Sequence, residues 1–443
     1  MLILQPTWSY DPLPAMEQDS LAYLLLDIKE EVGAERGVKA STVRLEHGVA
    51  PLNVSLVLDT SGSMAGAKLE NLKKAVGWVI DHLSAKDNLA VTLFDDEVHP
   101  LVESGPVSDR KGLREKIEAI SEAGGTAMSK GLNIGLQEAV KGRNPGSISR
   151  IVVLTDGQTW GDADRCRDIA RMAGAAGIPV TALGVGAEED WSIELLDALA
   201  SESGGHSDYI ARPEEISTAF EKTLRAMQAT AFRDLRLTFT SSSGVSVRAA
   251  YRVAPVLSKM WPGQEPVAPT PAQNKPVSLL LGEMEGGGAQ SILFEIVALP
   301  RKPGQYRLAR VLLDYEVAGP SSGQPQARQE VALDLAVGFA AGAGTGPGEP
   351  RVMNSVEKAT TFKLQTRALQ ASMAGDVAAA TRNLRAVATR LLDMGQTELA
   401  EAAEKEAQAL EKDGRMTPAG TKKLAYDTRR LAVSEAQNVP PGT

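Results

Sequence analysis

A short apolar run that ends in a carboxylate and two serine hydroxyls constrains this chain more than any other stretch. Val54 to Leu58 is too short for a helix and too apolar for a surface strand, so it predicts a central strand buried on both faces. Asp59, Ser61 and Ser63 follow in a loop that leads into a helix. Open α/β sheets place their ligands at the carboxyl ends of their strands. Carboxylate and hydroxyl oxygens at that place are hard ligands, suited to Mg²⁺ or Mn²⁺.

The same residue types are also common in an ordinary turn that caps the next helix. Two later stretches favour a metal site instead. Gly124 to Thr126 offers a further hydroxyl on a glycine-rich loop, and Ile151 to Thr155 is a second buried-strand pattern that ends at a carboxylate. Two parallel strands and the loop between them would together supply five oxygen ligands: Asp59, Ser61, Ser63, Thr126 and Asp156.

These five residues resemble, in their order, the metal-ion-dependent adhesion site of the von Willebrand factor type A domain. The family pattern is D-x-S-x-S, then a distant threonine and a distant aspartate, and no position departs from it here. The resemblance covers residues 50–228 and implies a doubly wound, Rossmann-like α/β domain. It also implies that Ser61, Ser63 and Thr126 bind the ion directly, while Asp59 and Asp156 act mainly through water.

Such a shell under-neutralises Mg²⁺ (or Mn²⁺ or Ca²⁺) and leaves one position to water, which an Asp or Glu carboxylate of a partner protein can displace. We therefore expect a metal-dependent protein-binding module and not an enzyme. In bacteria, proteins of this family are often companions of MoxR-type ATPases or of kinase–phosphatase signalling modules. Gly62 and Gly125 are expected to let the backbone turn closely around the ion, and Gly66, Met128 and Gln158 to lie near the rim.

Two alternative functions stay open. The first is a structural scaffold in which the metal only stabilises the fold. The second is a metal-dependent hydrolase, which would need a general base or nucleophile beside the ion. The sequence contains neither a Gly-rich Lys-Ser/Thr phosphate loop nor a His/Cys cluster. Its four histidines fall in scattered elements: His47, His82, His99 and His206.

Composition limits the class of protein and its surroundings. The 443 residues are enough for two or three domains. The net charge of −9 argues against a nucleic-acid partner, which needs clustered basic charge. A single cysteine, Cys166, excludes an internal disulfide and fits a reducing compartment. Met1 to Trp8 does not read as a signal peptide, and no stretch is apolar enough to span a bilayer. We therefore expect a cytoplasmic bacterial or archaeal protein with no membrane partner.

The pattern around the α/β domain predicts a β-sandwich into which that domain is inserted. Residues 1–18 read as irregular, Leu21–Lys29 as a strand with a helix as the alternative, and Thr42–His47 as an edge strand. The predicted parts are N-terminal sandwich strands in 1–49, the α/β domain in 50–228, the main sandwich in 229–340 and a C-terminal α-helical region in 351–437.

Three local predictions concern turns and helix ends. Leu235–Thr240 and Val245–Tyr251 are joined by Ser241–Gly244, which predicts a hairpin. Asp95 and Asp96 are interpreted as polar turn residues. Ser129 is expected to cap the helix that follows the Thr126 loop.

The C-terminal region is rich in Ala, Leu, Glu, Lys and Arg, with glycines as punctuation. Helices are predicted over about 352–374, 376–393, 396–412 and 417–436. The last helix carries a basic cluster that is interpreted as a solvated face, with a groove for an acidic partner surface as the alternative: Lys422, Lys423, Arg429 and Arg430.

Overall fold

The computed structural model describes residues 1–15, 18–31, 50–156, 161–186, 192–261, 276–319, 328–344 and 346–431. These residues form a layered α/β unit, two mainly antiparallel sheets and a C-terminal group of helices. The predicted strand Thr42–His47 and the predicted rim residue Gln158 lie outside the described residues.

The chain begins with strands, so the prediction of an irregular N-terminus is wrong. Strand β1 (Leu2–Trp8) pairs antiparallel with β3 (Ser20–Glu30), and β2 (Leu13–Pro14) is a short strand between them. Pro6 lies inside β1 and hides the strand signal, but β1 is an edge strand, where a proline is tolerated. The prediction of a strand at Leu21–Lys29 is confirmed, because β3 pairs with a neighbour on each side.

The α/β unit alternates strands and helices as predicted. Its helices and strands are β4 (Leu52–Asp59), α1 (Ala67–His82), β5 (Asn88–Phe94), β6 (Val98–Pro106), α2 (Arg110–Glu118), α3 (Met128–Lys141), β7 (Ile148–Thr155), α4 (Ala163–Ala175), β8 (Val180–Val185), α5 (Ile193–Ser203), β9 (His206–Ile210) and α6 (Ile216–Ala229).

Strands β4 and β7 lie side by side in the middle of a sheet that has, among the described residues, the order β6-β5-β4-β7-β8-β9. All neighbouring pairs are parallel except β5 with β6. Every residue of β4 and of β7 is buried, because apolar helix faces cover both sides of the sheet. The carboxyl ends of β4 and β7 therefore meet at one edge, and this brings Asp59 and Asp156 to the same place.

The remaining strands belong to two further sheets. They are β10 (Thr230–Ser241), β11 (Val245–Ala254), β12 (Ser258–Trp261), β13 (Val277–Glu285), β14 (Ala289–Ala298), β15 (Gly304–Val317) and β16 (Gln329–Ala340). In the described part of the chain the sheet orders are β1-β3-β14-β11-β12 and β13-β10-β15-β16-β2. Each sheet therefore contains strands that precede the α/β unit in the sequence and strands that follow it.

The two sheets face each other across one apolar core. The ring centroids of Phe239 on β10 and Phe294 on β14 are 4.8 Å apart, in a stacked arrangement. The same cluster of buried side chains includes Leu24 and Leu26 of β3 and Leu313 of β15. Residues before and after the α/β unit therefore depend on each other for burial.

The predicted hairpin of β10 and β11 is wrong, because the two strands belong to different sheets. The connection between them passes from one sheet to the other: Ser242 N donates to Leu308 O in the first sheet, and Leu299 N, just after β14 of the second, donates to Gly244 O, each at 2.8 Å. Gly244 supplies the positive φ of 70° that the crossing needs. Turn residues predict that the chain reverses, but not whether the returning strand stays in the same sheet.

The C-terminal region is helical, close to the predicted bounds. Its helices are α7 (Pro350–Met373), α8 (Val377–Asp393), α9 (Thr397–Asp413) and α10 (Pro418–Arg430). Helix α7 packs on the outer face of the sheet that contains β3, through Val352, Val356 and Ala359. Across the described residues, every helix is too short or too polar to cross a bilayer.

Helix α10 lies against the α/β unit, so the interpretation of its basic cluster as a solvated face is wrong for Lys422 and Arg429, whereas Lys423 and Arg430 are exposed. Arg429 forms an ion pair with Asp197 of α5, and Arg430 forms one with Asp208 of β9 at 2.8 Å. Lys422 is buried. The acidic surface that this cluster meets belongs to the same chain, and the sequence separation between α10 and these carboxylates hides the pairing.

Candidate metal centre

Asp59 is the last residue of β4 and is fully buried. Its Oδ1 accepts a hydrogen bond from Ser61 N at 2.9 Å, and its Oδ2 accepts one from Thr155 Oγ1 at 2.6 Å. Burial raises the pKa of the Asp59 carboxyl and the charge of Asp156 raises it further, whereas the hydrogen bonds from Ser61 and Thr155 oppose that rise. Asp59 is therefore a fixed carboxylate whose charged form a cation would stabilise.

Two serine hydroxyls connect the end of β4 with the end of β7. Ser61 Oγ and Ser63 Oγ are 3.1 Å apart, and Ser63 Oγ donates to Asp156 Oδ1 at 2.6 Å. Asp156 follows β7 and is fully buried. Hydrogen bonds thus bring together four of the five residues predicted from the sequence as metal ligands: Asp59, Ser61, Ser63 and Asp156.

Thr126 lies on a neighbouring loop that is tied to the Ser61 loop through the backbone. Ala123 N donates to Thr60 O at 2.8 Å, and Ala123 also forms a bridge with Ser61. Thr126 is half-buried, and its hydroxyl makes no hydrogen bond to any other described residue. The structure therefore places Thr126 on the loop beside the cluster, without a direct hydrogen bond to the other four.

Asp96 shapes the loop that carries Thr126. Asp96 N donates to Gly124 O at 3.1 Å, and Gly125 has a positive φ of 50°. A Cβ at Gly125 would lie 1.5 Å from Asp96 Oδ1, so a larger residue would have to displace that carboxylate and adopt a strained φ. Asp95 Oδ1 accepts from Glu97 N at 2.9 Å within the turn. These contacts agree with the interpretation of both aspartates as turn residues.

Helix α3, beside the site, begins differently from what the sequence predicted. Ser129 lies inside α3 and does not cap it. Instead Ser129 N donates to Asp162 Oδ2 at 2.8 Å, so a side chain from the loop before α4 satisfies this helix end. Met128 is buried in the core and is not a rim residue. Gly66 is exposed beside the N-terminus of α1.

Lys68 is a member of the site that sequence reasoning missed. Its Nζ forms an ion pair with Asp156 Oδ2 and donates to Ser63 O at 3.2 Å. A lysine in the first turn of a helix is unfavourable, because the helix N-terminus is itself positive. That unfavourable position, five residues after Ser63 and next to predicted buried carboxylates, is the signal that could have found it.

The cluster offers hydroxyl and carboxylate oxygens and no soft ligand. Elsewhere in the described ranges, no group of three or more His, Cys, Asp or Glu is placed to hold a metal ion. His82 stacks on Trp78, and His206 lies in the edge strand β9. The donor chemistry at Asp59, Ser61 and Ser63 therefore fits a hard divalent cation and not zinc held by soft ligands.

Comparison with known families agrees with this fold. The family model of the von Willebrand factor type A domain matches residues 53–222. These residues form a type A domain. A second family model, the Sll0103-like C-terminal alpha-helical domain, matches residues 350–434, which include helices α7 to α10.

Several curated proteins share part of this sequence. An uncharacterized protein, sll0103, of Synechocystis sp. is 31% identical over 62% of this chain and 63% of its own. The uncharacterized protein YfbK of Escherichia coli is 24% identical over 42% of this chain and 32% of its own. The human inter-alpha-trypsin inhibitor heavy chain H4 is 25% identical over 54% of this chain and 30% of its own. The chain therefore spans less than two thirds of each of these relatives.

Two solved structures share the whole architecture. A von Willebrand factor type A protein from Catenulispora acidiphila superposes with a TM-score of 0.73 at 17% identity, over 97% of this chain and 96% of its own. The ArnB paralog VWA2 from Sulfolobus acidocaldarius gives a TM-score of 0.54 at 13% identity, over 97% of this chain and 99% of its own. At such low identity these matches establish the fold alone.

Proposed function

We propose that the type A domain binds a divalent cation at the carboxyl edge of its sheet and uses it to capture an Asp or Glu of a partner protein. The proposed ligand set is Asp59, Ser61, Ser63, Thr126 and Asp156, and Mg²⁺ is the proposed ion, with Mn²⁺ or Ca²⁺ as substitutes. The observation that supports it best is the series of hydrogen bonds between two fully buried carboxylates. Asp59 accepts from Ser61 N, the hydroxyls of Ser61 and Ser63 are 3.1 Å apart, and Ser63 Oγ donates to Asp156.

The charge of this ligand set supports a binding role. The three hydroxyls are neutral, so only the two aspartates supply negative charge. Asp59 already accepts hydrogen bonds at both oxygens, from Ser61 and Thr155. Fixed in this way, it would orient water around the ion, as the family resemblance implies. With both aspartates acting mainly through water, every direct protein ligand of the cation is neutral, and an external carboxylate can supply a negative charge in direct contact with the ion.

The contacts of Lys68 favour a binding role over catalysis. A metal-dependent hydrolase needs a general base or a nucleophile beside the ion. Lys68, which contacts Asp156 and Ser63 here, is engaged as a hydrogen-bond donor and cannot accept a proton in that state. A MoxR-type ATPase or a kinase–phosphatase module is our proposed class of partner, on family association.

The test is capture of a partner from a lysate of the source organism by the immobilised protein. A protein retained in Mg²⁺, released by chelator and absent from Thr126→Val is the expected result, since that variant loses a proposed ligand but keeps the fold. Identified by mass spectrometry, the partner should then lose binding when one of its own Asp or Glu residues is neutralised. Equal retention with Mg²⁺, with chelator and by Thr126→Val would contradict the proposal.

The scaffold alternative makes a different prediction in the same experiment. There Mg²⁺ would raise the melting temperature of the wild type, but retention of every partner would be independent of the ion.

A further inference from the structure

We propose that Lys68 is a built-in cation that occupies Asp156 in the metal-free protein and has to leave when a divalent cation binds. The proposal rests on the function proposed above. It adds which group the ion displaces and how that displacement limits the affinity for the ion. Two observations support it: the contacts of the Lys68 ammonium with Asp156 and Ser63, and the backbone of Gly186 beside that ammonium.

The Lys68 ammonium contacts a carboxylate oxygen of the proposed ligand set and the backbone of a second member. Asp156 Oδ2 pairs with Lys68 Nζ, while Asp156 Oδ1 accepts from Ser63 Oγ at 2.6 Å, so both carboxylate oxygens are engaged. Lys68 Nζ also donates to the backbone carbonyl of Ser63 at 3.2 Å. The ammonium therefore rests directly on two members of the proposed ligand set.

The local charge cannot accommodate both cations in these positions. Asp59 and Asp156 are fully buried, and Lys68 already neutralises one of their two charges. A divalent ion bound by the same hydroxyls would bring two more positive charges within a few ångströms of the ammonium. In a partly buried site this repulsion is strong, because the solvent screens it poorly. Binding of the ion is therefore an exchange and not a simple addition.

The surroundings of Lys68 leave room for such an exchange. The Lys68 side chain is 22% exposed and has a flexible stem, so its ammonium can move into water. Gly186, just after β8, faces it with bare backbone: a Cβ built there would lie 3.7 Å from Lys68 Nζ, and its φ is +99°. Lys422 of α10 donates to the backbone carbonyl of the same glycine at 3.4 Å. The C-terminal helix thus contacts the residue that Lys68 faces.

This exchange explains two properties that a metal-dependent binder needs. Without metal, Lys68 partly neutralises the buried carboxylates, so the empty domain stays folded. With metal, part of the binding free energy is used to break the Lys68–Asp156 ion pair, so the ion is held less tightly than the oxygens alone would allow.

The experiment compares Mg²⁺ and Mn²⁺ binding to the full chain by calorimetry for the wild type, Lys68→Met and Lys74→Met. Lys74 is an exposed lysine on the same helix, so its replacement makes the same change in net charge away from the site. We expect Lys68→Met to bind the ion about tenfold more tightly or better. Lys74→Met should stay within about twofold of the wild type, because exposed distant charges are screened.

Thermal melting provides the second readout. Lys68→Met should melt at a lower temperature than the wild type in chelator and gain more from added Mg²⁺. Unchanged or weaker ion binding by Lys68→Met would overturn the proposal. If Lys68→Met does not fold in chelator, Lys68→Gln is used. Folding of either variant only with Mg²⁺ supports the exchange, whereas failure of both even with saturating Mg²⁺ overturns it. Absence of ion binding by the wild type would instead refute the proposed function.

Discussion

Asp59→Ala should weaken Mg²⁺ binding by about a hundredfold or more, because even partners outside the direct ligand shell contribute about 10- to 100-fold to metal affinity. Asp59 supplies one of the two negative charges of the proposed ligand set, and its position is fixed by Ser61 and Thr155. Calorimetry with the purified full chain measures the change. The substitution also removes two hydrogen bonds from the metal-free fold, so a second variant is needed to separate binding from stability.

Thr126→Val makes that separation. Valine has the shape of threonine, and the Thr126 hydroxyl has no hydrogen-bond partner among the residues that the structure describes. The melting temperature in chelator should therefore stay close to that of the wild type, while Mg²⁺ affinity falls at least about tenfold through loss of a direct ligand. Wild-type affinity in both Asp59→Ala and Thr126→Val would show that the ion, if bound, is held elsewhere.

Arg150→Met should destabilise the protein by about 3–5 kcal/mol, because removing one partner of a buried ion pair leaves the other charge uncompensated. Arg150 of β7 pairs with Glu283 of β13, and the two side chains are only 7% and 8% exposed. This pair joins the type A domain to a sheet that packs beside it. Thr230 Oγ1 donates weakly to the same carboxylate, at 3.4 Å, and cannot replace the guanidinium.

His206, which lies near Arg150, offers no compensating charge at neutral pH. Burial, together with the positive charge of Arg150, lowers the pKa of His206 to about 4, so His206 is neutral there. Two nitrogens of Arg150, Nε and Nη1, have no hydrogen-bond partner in the described structure. The pair therefore stabilises the fold mainly by mutual neutralisation.

Urea and thermal unfolding of the single and double variants measure this effect. The double variant Arg150→Met/Glu283→Leu should recover most of the loss, since apolar replacement of a whole buried pair is often neutral or stabilising. Arg114→Met is the control, because Arg114 and Asp81 form an exposed pair, worth less than about 1 kcal/mol. An Arg150→Met protein as stable as the control variant would contradict the assigned role of the pair.

The type A domain could be predicted because its signals are local. The apolar runs before Asp59 and Asp156 each specify a strand buried on both faces, and parallel pairing then brings their ends together. The serines follow β4 directly, so their position is fixed once the strand is known. Thr126 needed the spacing of the family pattern, because its loop reaches the site through the backbone contacts of Ala123.

What the sequence did not reveal depends on contacts between distant segments. The crossing at Gly244 places β10 and β11 in different sheets, although the turn residues alone look like those of a hairpin. The docking of α10 depends on Asp197 and Asp208, which precede its arginines by more than 200 residues. In each case a local pattern gave the correct element, and tertiary burial of charge or apolar surface decided its partner.

The most direct test of the central claim is a crystal structure of the protein soaked with Mn²⁺, with the ion located by its anomalous scattering. The proposal predicts a single strong peak at the carboxyl edge of the sheet, within about 2.0–2.3 Å of the hydroxyl oxygens of Ser61, Ser63 and Thr126. An empty edge in crystals where Mn²⁺ binds at other positions, with those three hydroxyls pointing to no common centre, would contradict it.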